Sequence, residues 1–132
     1  MHDTFINEFR NVQQAVHVNA IKKGFWEAKQ RIERIADRDG AWSDGSKQAA
    51  LHNNLAMIAL VISELSEACE ALRHGNPPDN HIPEFSGAEA EFADAIIRMM
   101  DLADALGWRL AQAIVAKHAY NTGREHMHGK KA

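Results

Sequence analysis

Two pairs of carboxylates carry the clearest chemical signal in the sequence: Glu64-x-x-Glu67 and Glu91-x-x-Asp94. A step of three makes the members of each pair neighbours on one helix face. On a helical wheel Met57, Leu60, Val61, Ala68 and Ala71 fall within about 60° of Glu64, as does Glu67. Acids in apolar surroundings repel one another and lose hydration, so something positive must compensate them. Glu91 and Asp94 share a face with Arg98 and Asp101. Taken singly, each pair has a plainer explanation: solvated surface acids, or for Glu64 and Glu67 an ion pair with Arg98, a device often no more stable than an apolar replacement. The combination argues for more. Short connections make consecutive helices antiparallel neighbours, which brings both pairs to one height in a bundle. Four converging acids need cations between them.

Carboxylate oxygens alone select hard ions such as Mg2+ or Mn2+. Carboxylate-bridged di-iron bundles need Glu-x-x-His on two helices, whereas Glu64, Glu67 and Glu91 are followed three residues on by Glu67, Glu70 and Asp94. That argues against redox iron. Mg2+ keeps several waters and is commonly shared with substrate phosphates, so an acidic cage suggests a triphosphate ligand. Two or more ions would neutralise the phosphates, activate a water and stabilise the leaving group. A glutamate left partly uncoordinated would take the water's proton, and Glu64 is the first choice for contact with that water. Glu70 falls on the polar side of the helix with His52, Ser63, Ser66 and Arg73, and is assigned no chemistry.

The elements that must hold these residues all read as helices. A first helix spans about Thr4 to Lys22, with Phe5, Phe9, Val12 and Val16 as its buried stripe, and Gly24 breaks it. A short second helix covers about Phe25 to Asp37. A polar loop with Trp42 follows, running to Gly45. The long helix starts near Ser46 as N-cap and stops at Gly75, with Leu51, Leu55, Ile58, Ile62, Leu65, Cys69 and Leu72 as its bundle seam. Pro77, Pro78 and Pro83 make the next stretch a connection. A fourth helix runs from about Gly87 to Leu106, with Phe92, Ile96, Met99, Ala103 and Leu106 inward, and a last one from about Arg109 to Asn121. A polar tail occupies 124–132. The expected fold is an all-α bundle of four to five helices forming a single domain over 1–132.

Composition sets the outer limits. With 132 residues and a net charge of -3, the chain has a core-sized length and no basic field for nucleic acid; Lys130-Lys131 is too short a cluster to change that. The single cysteine, Cys69, excludes an intrachain disulfide and a Cys-rich metal site. No apolar run approaches the roughly 20 residues of a membrane span, and Met1-His2-Asp3-Thr4 does not begin a signal peptide. The expectation is a soluble, cytoplasmic protein without membrane partners.

Across nearly the whole chain the sequence resembles the MazG-like all-α nucleoside triphosphate pyrophosphohydrolases, relatives of dimeric dUTPases and dCTP pyrophosphatases. The resemblance rests on Lys23-Gly24-Phe25-Trp26, on Ser63-Glu64-Leu65-Ser66-Glu67-Ala68 continuing to Ala71-Leu72-Arg73-His74-Gly75-Asn76-Pro77, and on Glu91-Phe92-Ala93-Asp94. It continues in Lys117-His118-Ala119-Tyr120-Asn121 with Arg124 and His128-Gly129-Lys130-Lys131. It implies Mg2+-dependent hydrolysis of a nucleoside triphosphate, deoxy or noncanonical, to the monophosphate and pyrophosphate, in a housecleaning or a regulatory role. By the same resemblance Glu64, Glu67, Glu91 and Asp94 are the Mg2+ ligands, with Glu64 and Glu67 catalytic. Lys117, Asn121 and Arg124 resemble the phosphate and sugar contacts, and their steps of four and three do put them on one helix face. His17 and Trp26 resemble nucleobase contacts of the dCTP-pyrophosphatase branch. His74, seven residues after Glu67 on the same helix side, is a further candidate for the base end. Family members assemble as dimers or dimers of dimers, which implies a homo-oligomer. Many relatives carry Glu-Glu-x-x-Glu where this chain has Ser63 in the first position, so the number of metal ions and the identity of the general base stay open. A function of another class, a non-catalytic helical module binding a nucleotide or a partner chain, would use the same bundle without needing all four acids.

Overall fold

The computed structural model describes residues 2–38, 40, 42–125 and 127. Asp39 and Ala41 of the loop and the tail motif His128-Gly129-Lys130-Lys131 lie outside the described residues. The described residues form five helices: α1 (His2–Lys22), α2 (Glu27–Arg38), α3 (Asp44–Arg73), α4 (Gly87–Ala105) and α5 (Leu110–Thr122). Among the described residues there is no strand, only an isolated bridge between Pro78 and Ser86. The all-α expectation holds, and no described helix is long and apolar enough to cross a membrane.

Helix α3 has 30 residues, about 45 Å of rod. Its N-cap is Ser43 rather than Ser46: the Ser43 hydroxyl accepts from the Ser46 backbone N–H at 3.1 Å. The earlier start places Asp44 in the first turn, where the helix dipole favours an acid. At the other end Gly75 takes φ +81°, the left-handed conformation that a helix-terminating residue requires.

The helices pair through α3 and α4, with α1 against α4, α2 against α3, and α5 docked on α1. The α3–α4 connection fixes their register. The Asn76 N–H bonds to the Ala71 carbonyl at 2.7 Å, the Gly87 N–H to the Pro77 carbonyl at 2.8 Å, and the Ala88 N–H to the Asn76 side-chain oxygen at 2.9 Å. Ser86 and Glu89 close a reciprocal capping box at the start of α4. Gly87 sits so close to α3 that a Cβ there would lie 3.2 Å from the Ala71 methyl.

Which faces are buried departs from the periodicity. The Leu51–Leu72 stripe of α3, expected as the seam, is exposed, reaching 59% at Ile62 and 60% at Leu72, and Cys69 is exposed with it. Instead α3 buries Met57, Val61, Glu64 and Ala68, the face that carries the first acidic pair. On α4, Phe92, Ile96 and Met99 are exposed, whereas Ala90, Ala95, Met100, Asp101, Leu102 and Ala103 are buried. On α1, Phe5 and Val12 are exposed and Gln13 is the buried residue. The physical reason is close approach: Ala68, Ala90, Ala95 and Ala103 let backbones come together where Leu and Phe would hold them apart. A small core of Trp26, Met57 and Leu102 forms at the far end of the α3–α4 pair, with Ala20, Ala105 and Leu106 against it.

Candidate metal centre

The helix pairing decides which acids meet. Ala71 faces Gly87, Glu64 faces Arg98, and Met57 shares a core with Leu102, so α4 runs back along α3. That antiparallel register brings Glu91 beside Glu64 and Glu67, with one carboxylate oxygen from each lying within 4.8 Å of the others. Glu64 is 8% exposed, Glu91 half-buried and Glu67 exposed, so the group forms a cup open on one side.

The electrostatics register the crowding. Burial, a hydrogen bond with Glu64 and the nearby charges of Glu67, Glu64 and Asp94 push the Glu91 carboxyl from its ordinary 4.5 up to about 7. The Asp94 carboxyl is also raised, first by burial and then by repulsion from Glu64, against a lowering pull from Arg98. Asp94 is outside the close triad, one helical turn on, and lines the neighbouring cavity instead.

Glu64 has a compensating cation from the protein itself. The Arg98 Nε donates to Glu64 Oε1 at 2.6 Å. The ion pair considered from sequence is therefore present, and it uses one oxygen of one acid. Asp101, on the same face as Arg98, does not pair with it. Asp101 is 5% exposed, and its Oδ1 accepts from the Trp26 indole N–H at 2.8 Å and from His17 Nδ1 at 2.7 Å.

The residues compared with nucleobase contacts thus have a structural anchor. Trp26 is 3% exposed, packed into the core, with the His17 ring edge-on to it at 5.4 Å between centroids. His17 and Trp26 border a small cleft with Lys29 rather than an open stacking platform. His74 caps the end of α3, its Nδ1 2.8 Å from the Glu70 carbonyl oxygen, beside the Arg73–Glu70 ion pair. Lys117 and Asn121 lie on α5 along a shallow apolar groove with Leu110 and Ile114. Lys117 and Arg124 both stand over the Tyr120 ring. Within one chain α5 packs chiefly on α1, so these three residues are not gathered at the acidic cup.

A cavity of about 530 Å³ adjoins the cup between α1 and α4. Val16, Phe25 and Ile97 make most of its wall apolar, and Asn19, Asp94, Arg98 and Asp101 contribute polar groups. Asn19 is a site-lining residue that the sequence alone does not single out, because one amide on a polar-looking helix carries no pattern. Asp101 had a weak signal: an acid among the apolar residues of α4. Comparison with family models, with curated proteins and with solved structures returns no match.

Proposed function

We propose that the chain is a divalent-metal-dependent nucleoside triphosphate pyrophosphohydrolase, with Mg2+ held by Glu64, Glu67 and Glu91, Asp94 completing the set, and Mn2+ as a substitute. The observation that carries this is the convergence of three carboxylates within 4.8 Å beside a cavity of nucleoside size. The donor set fits: oxygens only, mutually repelling, with the Glu91 carboxyl raised by its neighbours so that a cation would compete with its proton. A Mg2+ ion bound there would neutralise phosphate charge and acidify water.

The chain's own groups supply the rest. The apolar wall of the α1–α4 cavity takes the base and sugar, with Phe25 as a flat face and Asn19 as a hydrogen-bonding group. Arg98 stands between cup and cavity, where its guanidinium can leave Glu64 and hold a phosphate bidentately. Glu64, released from Arg98, becomes the acceptor for the proton of the attacking water, and attack at the α-phosphorus expels pyrophosphate. Lys117, Asn121 and Arg124 serve the phosphates only if α5 of another copy reaches the cup, which makes a homodimer or dimer of dimers part of the proposal. The exposed Leu/Ile face of α3 supplies the surface for it.

The test is to incubate the protein with Mg2+ and a panel of ribo- and deoxynucleoside triphosphates and to resolve products by ion-exchange chromatography. Monophosphate with pyrophosphate is expected, and Glu67→Gln should lower turnover by at least about a hundredfold with the helical circular dichroism unchanged. Orthophosphate as the first product would refute the bond assignment.

A second reading has its own observation. The Glu64–Arg98 pair satisfies the most buried acid of the cup without any metal, as a non-catalytic nucleotide- or partner-binding module would. Calorimetry separates the two: no uptake of Mg2+ or Mn2+, with or without a nonhydrolysable triphosphate, favours the module.

A further inference from the structure

Asp101 is a buried carboxylate that the proposed chemistry leaves unused. It is 5% exposed, and a single oxygen holds both of its neighbours: Oδ1 accepts from the Trp26 indole N–H at 2.8 Å and from His17 Nδ1 at 2.7 Å. Oδ2 accepts from no donor among the described residues. Nor is it sealed in the protein. The enclosed atoms without a partner are Gln13 Oε1, Gln112 Oε1 and Asn121 Oδ1, whereas the Asp101 side chain keeps 7% of its surface open and lines the α1–α4 cavity with Val16, Asn19 and Ala20. A nearly buried acceptor on a mainly apolar wall costs free energy unless a donor reaches it. Two donors on Oδ1, one from α1 and one from just before α2, pin the carboxylate so that Oδ2 cannot turn elsewhere.

Its position along α4 says which part of a ligand it meets. Asp101 follows Asp94 by seven residues, two turns and about 10.5 Å, on the same helix face. Asp94 borders the acidic cup, and Arg98 stands between the two. A nucleotide with its phosphates at the cup therefore carries its base to the depth of Asp101. There the base meets one fixed acceptor, Oδ2, and the Asn19 amide of α1, which offers an NH2 group as well as a carbonyl.

We propose, resting on the reading of this cavity as a nucleoside site, that Asp101 determines base specificity and selects an exocyclic amino group beside a ring-nitrogen acceptor, the edge of cytosine and adenine. The amino N–H donates to Asp101 Oδ2, and the ring nitrogen accepts from the Asn19 amide. Carboxylates accept from cytosine N4 in the same way when proteins read nucleic-acid bases. Uracil and hypoxanthine put a carbonyl where the amino group stands, so two acceptors face each other with no proton between them. A site built to take up an N–H rejects the analogue that lacks it far more strongly than one that lacks a methyl group. His17 and Trp26 then act through Asp101, as positioning residues, rather than by touching the base.

The experiment is calorimetry of the full chain with Mg2+ and two near-isosteric pairs: deoxycytidine against deoxyuridine 5′-monophosphate, and deoxyadenosine against deoxyinosine 5′-monophosphate. Monophosphates bind without turnover. The amino member of at least one pair should bind about tenfold or more tighter than its partner. By NMR it should shift the Trp26 indole N–H signal and leave that of Trp108, at the α4–α5 turn, in place. Asp101→Asn keeps an oxygen for Trp26 and His17 and puts an NH2 group where Oδ2 was, so the preference should shrink to within about twofold or invert. The wild-type comparison decides the matter even where the variant does not fold. The proposal is overturned if neither amino member saturates, if both pairs bind equally, if the deaminated members bind tighter, if Trp108 shifts instead of Trp26, or if a folded Asp101→Asn keeps the full preference. Its failure is separable from that of the proposed activity. Hydrolysis of triphosphates without base preference removes this role from Asp101 and leaves the pyrophosphohydrolase, whereas base preference without hydrolysis does the reverse.

Discussion

At the residue scale the chemistry turns on how the acids of α3 and α4 are compensated. Glu91, with its carboxyl pushed to about 7 against an ordinary 4.5, holds a proton in the folded chain that the unfolded chain has released across that window. Stability of the metal-free fold therefore falls as pH rises through that window and levels off above it. Chemical denaturation in EDTA, comparing the wild type with Glu91→Gln, isolates the group: the wild-type curve should drop relative to the variant as pH rises. A wild-type curve that climbs relative to the variant would refute the assignment. If Mg2+ binds the cup as proposed, it competes with that proton, and its affinity should strengthen over the same interval. Arg98 is the other compensator. Arg98→Met leaves Glu64 without its cationic partner and should destabilise the metal-free protein by about 1–3 kcal/mol, with most of the loss recovered on adding Mg2+ if the ion binds there as proposed. Urea titrations with and without the ion check this, and a loss that Mg2+ does not recover would remove Glu64 from the metal centre.

At the element scale the cup exists because α4 starts at a defined point along α3. Both Glu-x-x-Glu and Glu-x-x-Asp spacings were legible in the sequence as single-face pairs, but spacing says nothing about the offset between two helices. That offset comes from the turn: the Asn76 and Gly87 backbone bonds, the Ser86–Glu89 capping box, and Asp79, whose carboxylate accepts from the His81 and Ile82 N–H groups at 2.8 and 3.0 Å. These N–H groups also hold the Asp79 carboxyl below its usual range. Gly87→Val would force side-chain carbons against Ala71 and push the start of α4 away. Mg2+ affinity should fall by about tenfold or more while far-ultraviolet circular dichroism stays helical, since a shift of about 1 Å is enough to spoil a multidentate site. Unchanged affinity would mean that the register is set elsewhere.

At the scale of the whole molecule the largest departure from the periodicity is also the most useful. Leu55, Ile58, Ile62 and Leu65 of α3, with Phe92, Ile96 and Met99 of α4, stay exposed in the single chain. Under the proposed assembly a second copy covers this apolar surface, and exposed apolar patches are where such contacts form. Ile62→Glu places a charge in the middle of that face. Light scattering should show a shift to monomer, with helicity kept, because Ile62 makes no part of the single-chain core. If the proposed function holds, the same variant loses turnover while the acidic cup stays intact, because Lys117, Asn121 and Arg124 of a second copy no longer reach it. A wild type that is monomeric at high concentration would refute the assembly.

The sequence by itself determined that the chain is helical, where its breaks fall, and which acids share a helix face, because these follow from spacing of 3.6 residues per turn and from Gly and Pro. It also marked the Glu64 face as unusual, since acids among Met57, Val61 and Ala68 are a local contradiction visible in one dimension. Only the tertiary structure decided which of α3's two apolar faces is buried within the chain, that Arg98 answers Glu64, and that Asp101 anchors both His17 and Trp26. Periodicity ranks faces by composition, whereas burial depends on how closely neighbouring backbones can approach, and the small residues of α3 and α4 settle that in favour of the acidic face.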